Sequence, residues 1–377
     1  MARRMCDATS YPPPVLAVAG YGLGGATRRF PTEPVDEVSW TAVVTAARTH
    51  RVTGLLGTAV AAGAFPVTAT QKREARAAYR TQLLRVLALE RELLAVCDLL
   101  AAVDVPTRVL KGSAVARLDY ADPAVRSFMD LDVLVRADDI GRAVETLSEA
   151  GFRRTLAEPR PGFDRRFDKG MTLIGPARYE LDLHRTLVLG PWGVVLDSDR
   201  LWDEGQELPL GGASLRALSR PHRFVHACYH AALGNWPLRL GSLRDIAEML
   251  RAWEGAAAAV RAIAARWGVE AVVAAAVSDT YRLLGLDTRN DLAEWADSYV
   301  PSRRHEEWLG LHTRTDKTFS AQALATLRVL PCWRDKAAYV RALAFPDARY
   351  TADRHSSALG RFGYAIREAR RGMKISS

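Results

Sequence analysis

Two aspartates two residues apart inside an apolar run, Arg126-Ser-Phe-Met-Asp-Leu-Asp-Val-Leu-Val135, constrain this chain more than any other stretch. The apolar residues on both sides of the pair read as a strand over roughly Ser127 to Val135. Successive side chains on a strand point to opposite faces, so the two acids share one face about 7 Å apart. Met129, Leu131, Val133 and Val135 then point the other way, into a core. Like charges held that close on a rigid element repel. A divalent cation relieves the repulsion, and hard oxygen ligands of this kind suit Mg2+, which takes one or two carboxylates together with substrate phosphates. The plain alternative is a strand with one solvated face. Phe128 and Leu134, on the same face as the acids, favour the centre of a sheet instead.

Upstream, Val109-Leu-Lys-Gly-Ser-Ala-Val115 reads as a short buried strand to Leu110, a break at Gly112-Ser113, and a helix from Ser113 to Tyr120 with Ser113 as its N-cap. Downstream, Met171 to Ile174 and Tyr179 to Leu187 read as a hairpin around Gly175-Pro176. In its second arm Glu180, Asp182 and His184 share a face, with Tyr179, Leu181 and Leu183 opposite.

Gly-Ser followed, after sixteen residues, by Asp-x-Asp between apolar residues resembles the nucleotidyltransferase superfamily that includes DNA polymerase beta. More narrowly, Leu110-Lys-Gly112, Arg126, Asp130-Leu-Asp-Val-Leu-Val135 and Leu181-Asp-Leu-His184 resemble a bacterial family of uncharacterised nucleotidyltransferases. A later segment, His226-Ala-Cys-Tyr-His230 through Trp236, Arg239 and Arg244-Asp245, matches the same family, and the likeness runs from about residue 36 to residue 355.

The resemblance implies transfer of NMP from an NTP to an acceptor hydroxyl or phosphate, with release of pyrophosphate. It implies two Mg2+ ions roughly 3.5–4 Å apart, held by Asp130, Asp132 and Asp182. Gly112 would allow close backbone approach, and Ser113 with the following helix N–H groups would hold the donor phosphates. Lys111 and Arg126 either hold phosphates or pair with carboxylates. Glu180 competes with Asp182 as third ligand; the family motif, with its acid before Leu-His, favours Asp182. His184 orients a carboxylate, touches substrate, or is structural. His230, Arg239 and Asp245 would line the acceptor side, with Asp245 paired to an arginine as the competing reading. The acceptor is expected to be a small molecule, sugar or peptide. The alternative is a catalytically silent nucleotide-binding, scaffold or antitoxin-like protein of the same fold.

The whole chain reads as α/β (α+β): a small mixed-sheet core flanked by N-terminal helices and a mostly helical C-terminal half. Residues 1–35 read as a flexible Gly/Pro-rich lead-in, 36–104 as helices packing on the core, 105–215 as the core, and 216–377 as the helical domain. Val15-Leu-Ala-Val-Ala-Gly-Tyr-Gly-Leu-Gly-Gly25 has the glycine spacing of a dinucleotide site, but Pro31 and Pro34 stop the helix such a site needs. The net charge of +9 comes from scattered basic residues, not from a dense tract with interleaved aromatics, so nucleic acid is not the expected partner. The four cysteines stand far apart with no C-x-x-C pair, which disfavours zinc ribbons and redox motifs and fits a cytoplasmic protein. No run reaches the 18 or so apolar residues of a membrane span. The basic stretch Ala358 to Lys374 is expected to form a terminal helix, docked on the protein or in peripheral contact with a membrane.

Overall fold

The structure, a computed structural model, describes residues 6–253, 255–313 and 319–352. One sheet organises the middle of the chain. Its strands are β1 (Arg108–Val109), β2 (Leu131–Leu134), β3 (Arg153–Arg154), β4 (Gly170–Ile174), β5 (Glu180–His184), β6 (Gly205–Leu210) and β7 (Ala213–Leu218). They lie in the order β3-β4-β5-β2-β1-β7-β6. Strand β2 is parallel to β5 and antiparallel to β1, and β1 is parallel to β7. The sheet is mixed and the rest is helical, as the alternation of strand and helix patterns predicts.

The sheet packs on helix Ala69–Ala101, whose Val86, Leu89, Leu93, Val96 and Leu100 share a core with Leu131, Val133, Leu181 and Leu183. That helix starts at a capping box. The Thr68 hydroxyl accepts from the Gln71 N–H at 3.3 Å, and the Gln71 side-chain oxygen accepts from the Thr68 N–H at 3.1 Å.

A second, larger core belongs to the helices. Trp40, Leu55 and Leu56 from helices Glu37–Thr49 and Thr53–Ala61 lie in one cluster with Phe224, Leu243 and Val272 from helices Arg220–Leu233, Leu240–Arg251 and Glu270–Leu284. The same cluster takes in Leu110, Val115 and Leu134 from the sheet unit, so it joins the shorter helices to the core as well as to the C-terminal half.

Within residues 6–35 a buried helix stands where a flexible lead-in was expected. Pro13–Gly20 is a helix, and Val15 to Gly20 are all buried in the helical core. Prolines at its first two positions cost no hydrogen bond, because those N–H groups have no partner inside a helix. The apolar run therefore sits where a helix can bury it on every side.

Strands β6 and β7 were not expected. They form a hairpin turning at Gly211-Gly212, both at positive φ (57° and 86°), a turn glycine accepts and other residues resist. Leu208, Leu210, Leu215 and Ala217 face the sheet core, and the last pairs with Val109 of β1. The hairpin extends the core past residue 215 and feeds directly into helix Arg220–Leu233. The stretch Ala358 to Lys374 lies outside the described residues. Among the described residues no helix is long and apolar enough to cross a membrane.

Candidate active site

Strands β2 and β5 run parallel and in register, with Asp132 opposite Asp182 and Leu134 opposite His184. The two acids thus lie side by side on one face. Ligand atoms of Asp132, Asp182 and His184 all fall within 4.8 Å of one another. Strand β2 begins only at Leu131, so Asp130 sits just outside it, half-buried, and is not part of this group. The expected trio of Asp130, Asp132 and Asp182 is therefore not gathered at one point: a histidine stands in the third place. Glu180, two residues from Asp182, is exposed and pairs in register with Ile174, away from the cluster.

Each member of the cluster is held. The Lys111 ammonium lies 2.6 Å from Asp132 Oδ1. Thr172 donates its hydroxyl to Asp182 Oδ1 at 2.6 Å, and Lys169 Nζ stands 3.7 Å from Oδ2. Burial would raise the Asp132 pKa, but Lys111 and His184 outweigh it and hold the carboxyl well below the usual range. Burial would lower the Lys111 pKa, and Asp132, with Asp130 and Asp182 behind it, turns the net shift upward. Lys111 thus pairs with a carboxylate, one of its two expected roles.

Sheet geometry explains why Lys111 arrives there. The Leu110 N–H donates to the Asp132 carbonyl at 3.0 Å, extending the ladder one residue past β1, and the chain then turns at Gly112. Gly112 has φ 25° and ψ −114°, a conformation glycine alone adopts readily. Its carbonyl accepts from Arg126 Nη1 at 2.9 Å. The other guanidinium nitrogens, Nε and Nη2, each donate to Asp245 at 2.8 Å, and Tyr120 donates its hydroxyl to the same carboxylate at 2.8 Å. Arg126 and Asp245 are scaffolding for the Gly112 turn, as the competing reading of Asp245 had it. The Ser113 side chain caps no backbone N–H: its hydroxyl is buried with no hydrogen-bond partner.

A cleft open to solvent lies between the sheet and the helical half. Lys111, Gly112, Asp130 and Asp132 form its sheet side, and His226, His230 and Arg239 its helical side. Ser113 and Asp182 do not line it. A model of the family described as uncharacterised nucleotidyltransferase matches residues 36–285, a span that includes both walls. The chain belongs to this nucleotidyltransferase family. No curated protein matches it. Among solved structures, the antibiotic-resistance factor ANT(2'')-Ia is 16% identical over 48% of this chain and 92% of its own, with a TM-score of 0.35. A nucleotidyltransferase-like protein from Paracoccidioides brasiliensis is 12% identical over 56% of this chain and 95% of its own, with a TM-score of 0.29.

The cluster of this nucleotidyltransferase has the chemistry of a cation site. His184 Nε2 is 2.9 Å from Asp132 Oδ1, and Nδ1 is 3.3 Å from the Thr186 carbonyl. Burial, then Lys169, pushes the His184 pKa down, so the ring is neutral at pH 7 and has one N–H for two oxygen acceptors. A cation on Nε2 and Asp132 would leave the Nδ1 proton for Thr186, the arrangement that outer carbonyls impose on metal-bound histidines. Two carboxylates suit Mg2+; the imidazole suits Mn2+ or Zn2+ better.

On the helical side of the nucleotidyltransferase, His230 Nδ1 lies 2.8 Å from the Ser242 hydroxyl. His226 and His184 stand edge to face, ring centres 6.5 Å apart. His222, at the same helical spacing, bonds Ser219 at 3.0 Å and stacks on Trp267 instead of facing the cavity. Burial drives the pKa values of His226 and His230 well below the ordinary range, with Lys111 as the next cause. His50, outside the cluster, is pushed down to about 4 by burial and by Arg239. Lowered histidines bind fewer protons folded than unfolded, so unfolding takes up protons below the free value of about 6.5. Stability is expected to be full above that pH and to fall from pH 6.5 towards pH 4. Urea midpoints measured at pH 7.5 and pH 5 check this, and equal midpoints would refute it. Asp164, raised to about 6 by burial, acts in the opposite sense, and the more numerous histidines outweigh it.

Proposed function

We propose that this protein transfers NMP from an NTP to an acceptor hydroxyl or phosphate, in a cytoplasmic setting that supplies NTP and Mg2+. One observation carries the reading: Asp132 and Asp182 stand side by side on neighbouring parallel strands, with the glycine turn and the cavity directly beside Asp132. The acceptor oxygen forms a bond to the α-phosphorus, the bond from that phosphorus to the bridging oxygen breaks, and pyrophosphate leaves. A divalent cation bound at Asp132 and Asp182 would neutralise charge on the reacting oxygens and make the acceptor hydroxyl more acidic. Two Mg2+ ions, with Asp130 completing the set, remain part of the proposal. The chain's own residues prepare this. Lys111 and His184 keep Asp132 ionised, and Arg126, tied to Asp245, fixes the carbonyl of Gly112 so that the turn keeps its shape beside the phosphates. Asp130, on the cavity wall, is free to meet ligand. The acceptor we propose is a small molecule, sugar or peptide.

Calorimetric titration with ATP, GTP, CTP and UTP tests the reading, with Mg2+ and in parallel with Mn2+. Metal-dependent binding of an NTP by the wild type, lost in Asp130→Ala/Asp132→Ala, is the expected result. A folded wild type that binds none of the four with either metal would return the protein to the catalytically silent alternative.

A further inference from the structure

Arg51 belongs to none of the family motifs, and it stands where the backbone disfavours it. Helix Glu37–Thr49 ends at His50, and Arg51 follows with φ of 62°. The Val52 N–H donates to the Ala47 carbonyl at 2.9 Å, and the Arg51 N–H to the Arg48 carbonyl at 3.2 Å. This is a Schellman turn, whose left-handed position glycine usually fills. Strain of this kind collects at sites where a side chain has work to do.

Arg51 lines the cavity, and so does Arg239, from the opposite part of the chain. A close contact brings their backbones together. The Gly241 N–H donates to the His50 carbonyl at 2.8 Å. A Cβ on residue 241 would stand 2.8 Å from that carbonyl oxygen and 3.1 Å from the Arg51 Cβ, so a glycine there lets helix Leu240–Arg251 close onto the turn. The other cations of the cavity are committed: Lys111 to Asp132, Arg126 to Asp245, and Arg223 to buried Asp119. Among the described residues neither the Arg51 nor the Arg239 side chain has a hydrogen bond or a carboxylate within ion-pair distance. Both feel the field of one half-buried carboxylate, Asp130. Burial lowers the pKa of both, and Arg239 depresses Arg51 further. Ser127 lines the same cavity, is only 8% exposed, and its hydroxyl has no partner.

Two uncommitted guanidiniums and an unpaired buried hydroxyl around one space suit an anion with several acceptor oxygens. We propose that Arg51, Arg239 and Ser127 form a phosphate clamp, in which the N-terminal helices bind substrate directly. The clamp rests on the transferase reading only for the source of its phosphate, the donor's triphosphate tail or a phosphorylated acceptor.

Calorimetry with inorganic tripolyphosphate on the full chain tests it, using wild type, Arg51→Gly, Arg51→Lys and Arg239→Gln. Glycine suits the left-handed position, so Arg51→Gly is expected to unfold at the wild-type temperature or above it, yet to bind tripolyphosphate about tenfold or more weakly. Arg51→Lys keeps the charge without the planar fork and is expected to fall between; Arg239→Gln is expected to weaken binding like Arg51→Gly. Wild-type affinity in Arg51→Gly, or no tripolyphosphate binding by wild type, overturns the clamp. Displacement of bound tripolyphosphate by ATP assigns the site to the donor; displacement by glucose 1-phosphate and not ATP assigns it to a phosphorylated acceptor. Failure of the transferase reading looks different: tripolyphosphate binding depends on Arg51, yet no NTP is turned over. Nucleotide transfer with unchanged KM for both NTP and acceptor in Arg51→Gly would keep the transferase and remove the clamp.

Discussion

Asp132→Ala is expected to lower the stability of the fold by about 3–5 kcal/mol and to abolish nucleotide transfer. The carboxylate is 5% exposed and takes both Lys111 and His184. Its removal strands an ammonium whose own solvation is already poor and which has no second carboxylate within ion-pair distance. Breaking a buried pair by removing one partner costs more than the pair contributes, because the remaining charge stays uncompensated. Asp132→Asn separates the two effects. It also leaves Lys111 without a counter-charge but keeps the shape and one acceptor oxygen, so it is expected to lose less stability than Asp132→Ala while metal-dependent NTP binding disappears. Urea unfolding of both variants, beside NTP titration, reads this out. Wild-type stability in Asp132→Ala would sink the ion-pair account, and wild-type NTP binding in Asp132→Asn would sink the cation-site account.

The second large effect is expected at Arg126 and Asp245, which are 119 residues apart in sequence and joined by two parallel hydrogen bonds. Both side chains are close to nine-tenths buried. Arg126→Ala or Asp245→Ala alone is expected to cost about 3–5 kcal/mol. The double variant is expected to cost clearly less than the sum, with a coupling of about 1–3 kcal/mol. Arg126→Ala also frees the Gly112 carbonyl, so its KM for NTP is expected to rise more than that of Asp245→Ala. Additive losses in a double-mutant cycle would show that the two residues do not act as a unit.

Strand alternation puts Asp130 with Asp132, and Asp182 with His184, on common faces. The preference for Asp182 over Glu180 rests on the family motif, and its place opposite Asp132 comes from a strand pairing that the sequence does not state. Which charges neutralise which was not legible either. Lys111 and Arg126 each had two open roles in sequence, and only the fold could choose, since Asp132 and Asp245 reach them from other elements. The Pro13–Gly20 helix was hidden because its short apolar run reads together with the glycines behind it as part of a Gly/Pro-rich lead-in, although prolines at the first helical positions also suit a helix start. The β6–β7 hairpin did leave a signal, Gly211-Gly212 between alternating leucines. Arg51 left none: a left-handed arginine looks like any other arginine until the turn around it is known.

The core that helix Pro13–Gly20 shares with helices far downstream has a consequence for the order in which the protein is made. Helix Pro13–Gly20 leaves the ribosome long before its partners on helices Leu240–Arg251 and Glu270–Leu284 are synthesised. Chains emerge at about 5–20 residues per second, so this apolar segment spends on the order of ten seconds or more without its cover. The sheet, complete at Leu218, can form in that interval. The nascent protein then carries an uncovered hydrophobic segment beside a sheet that is already complete.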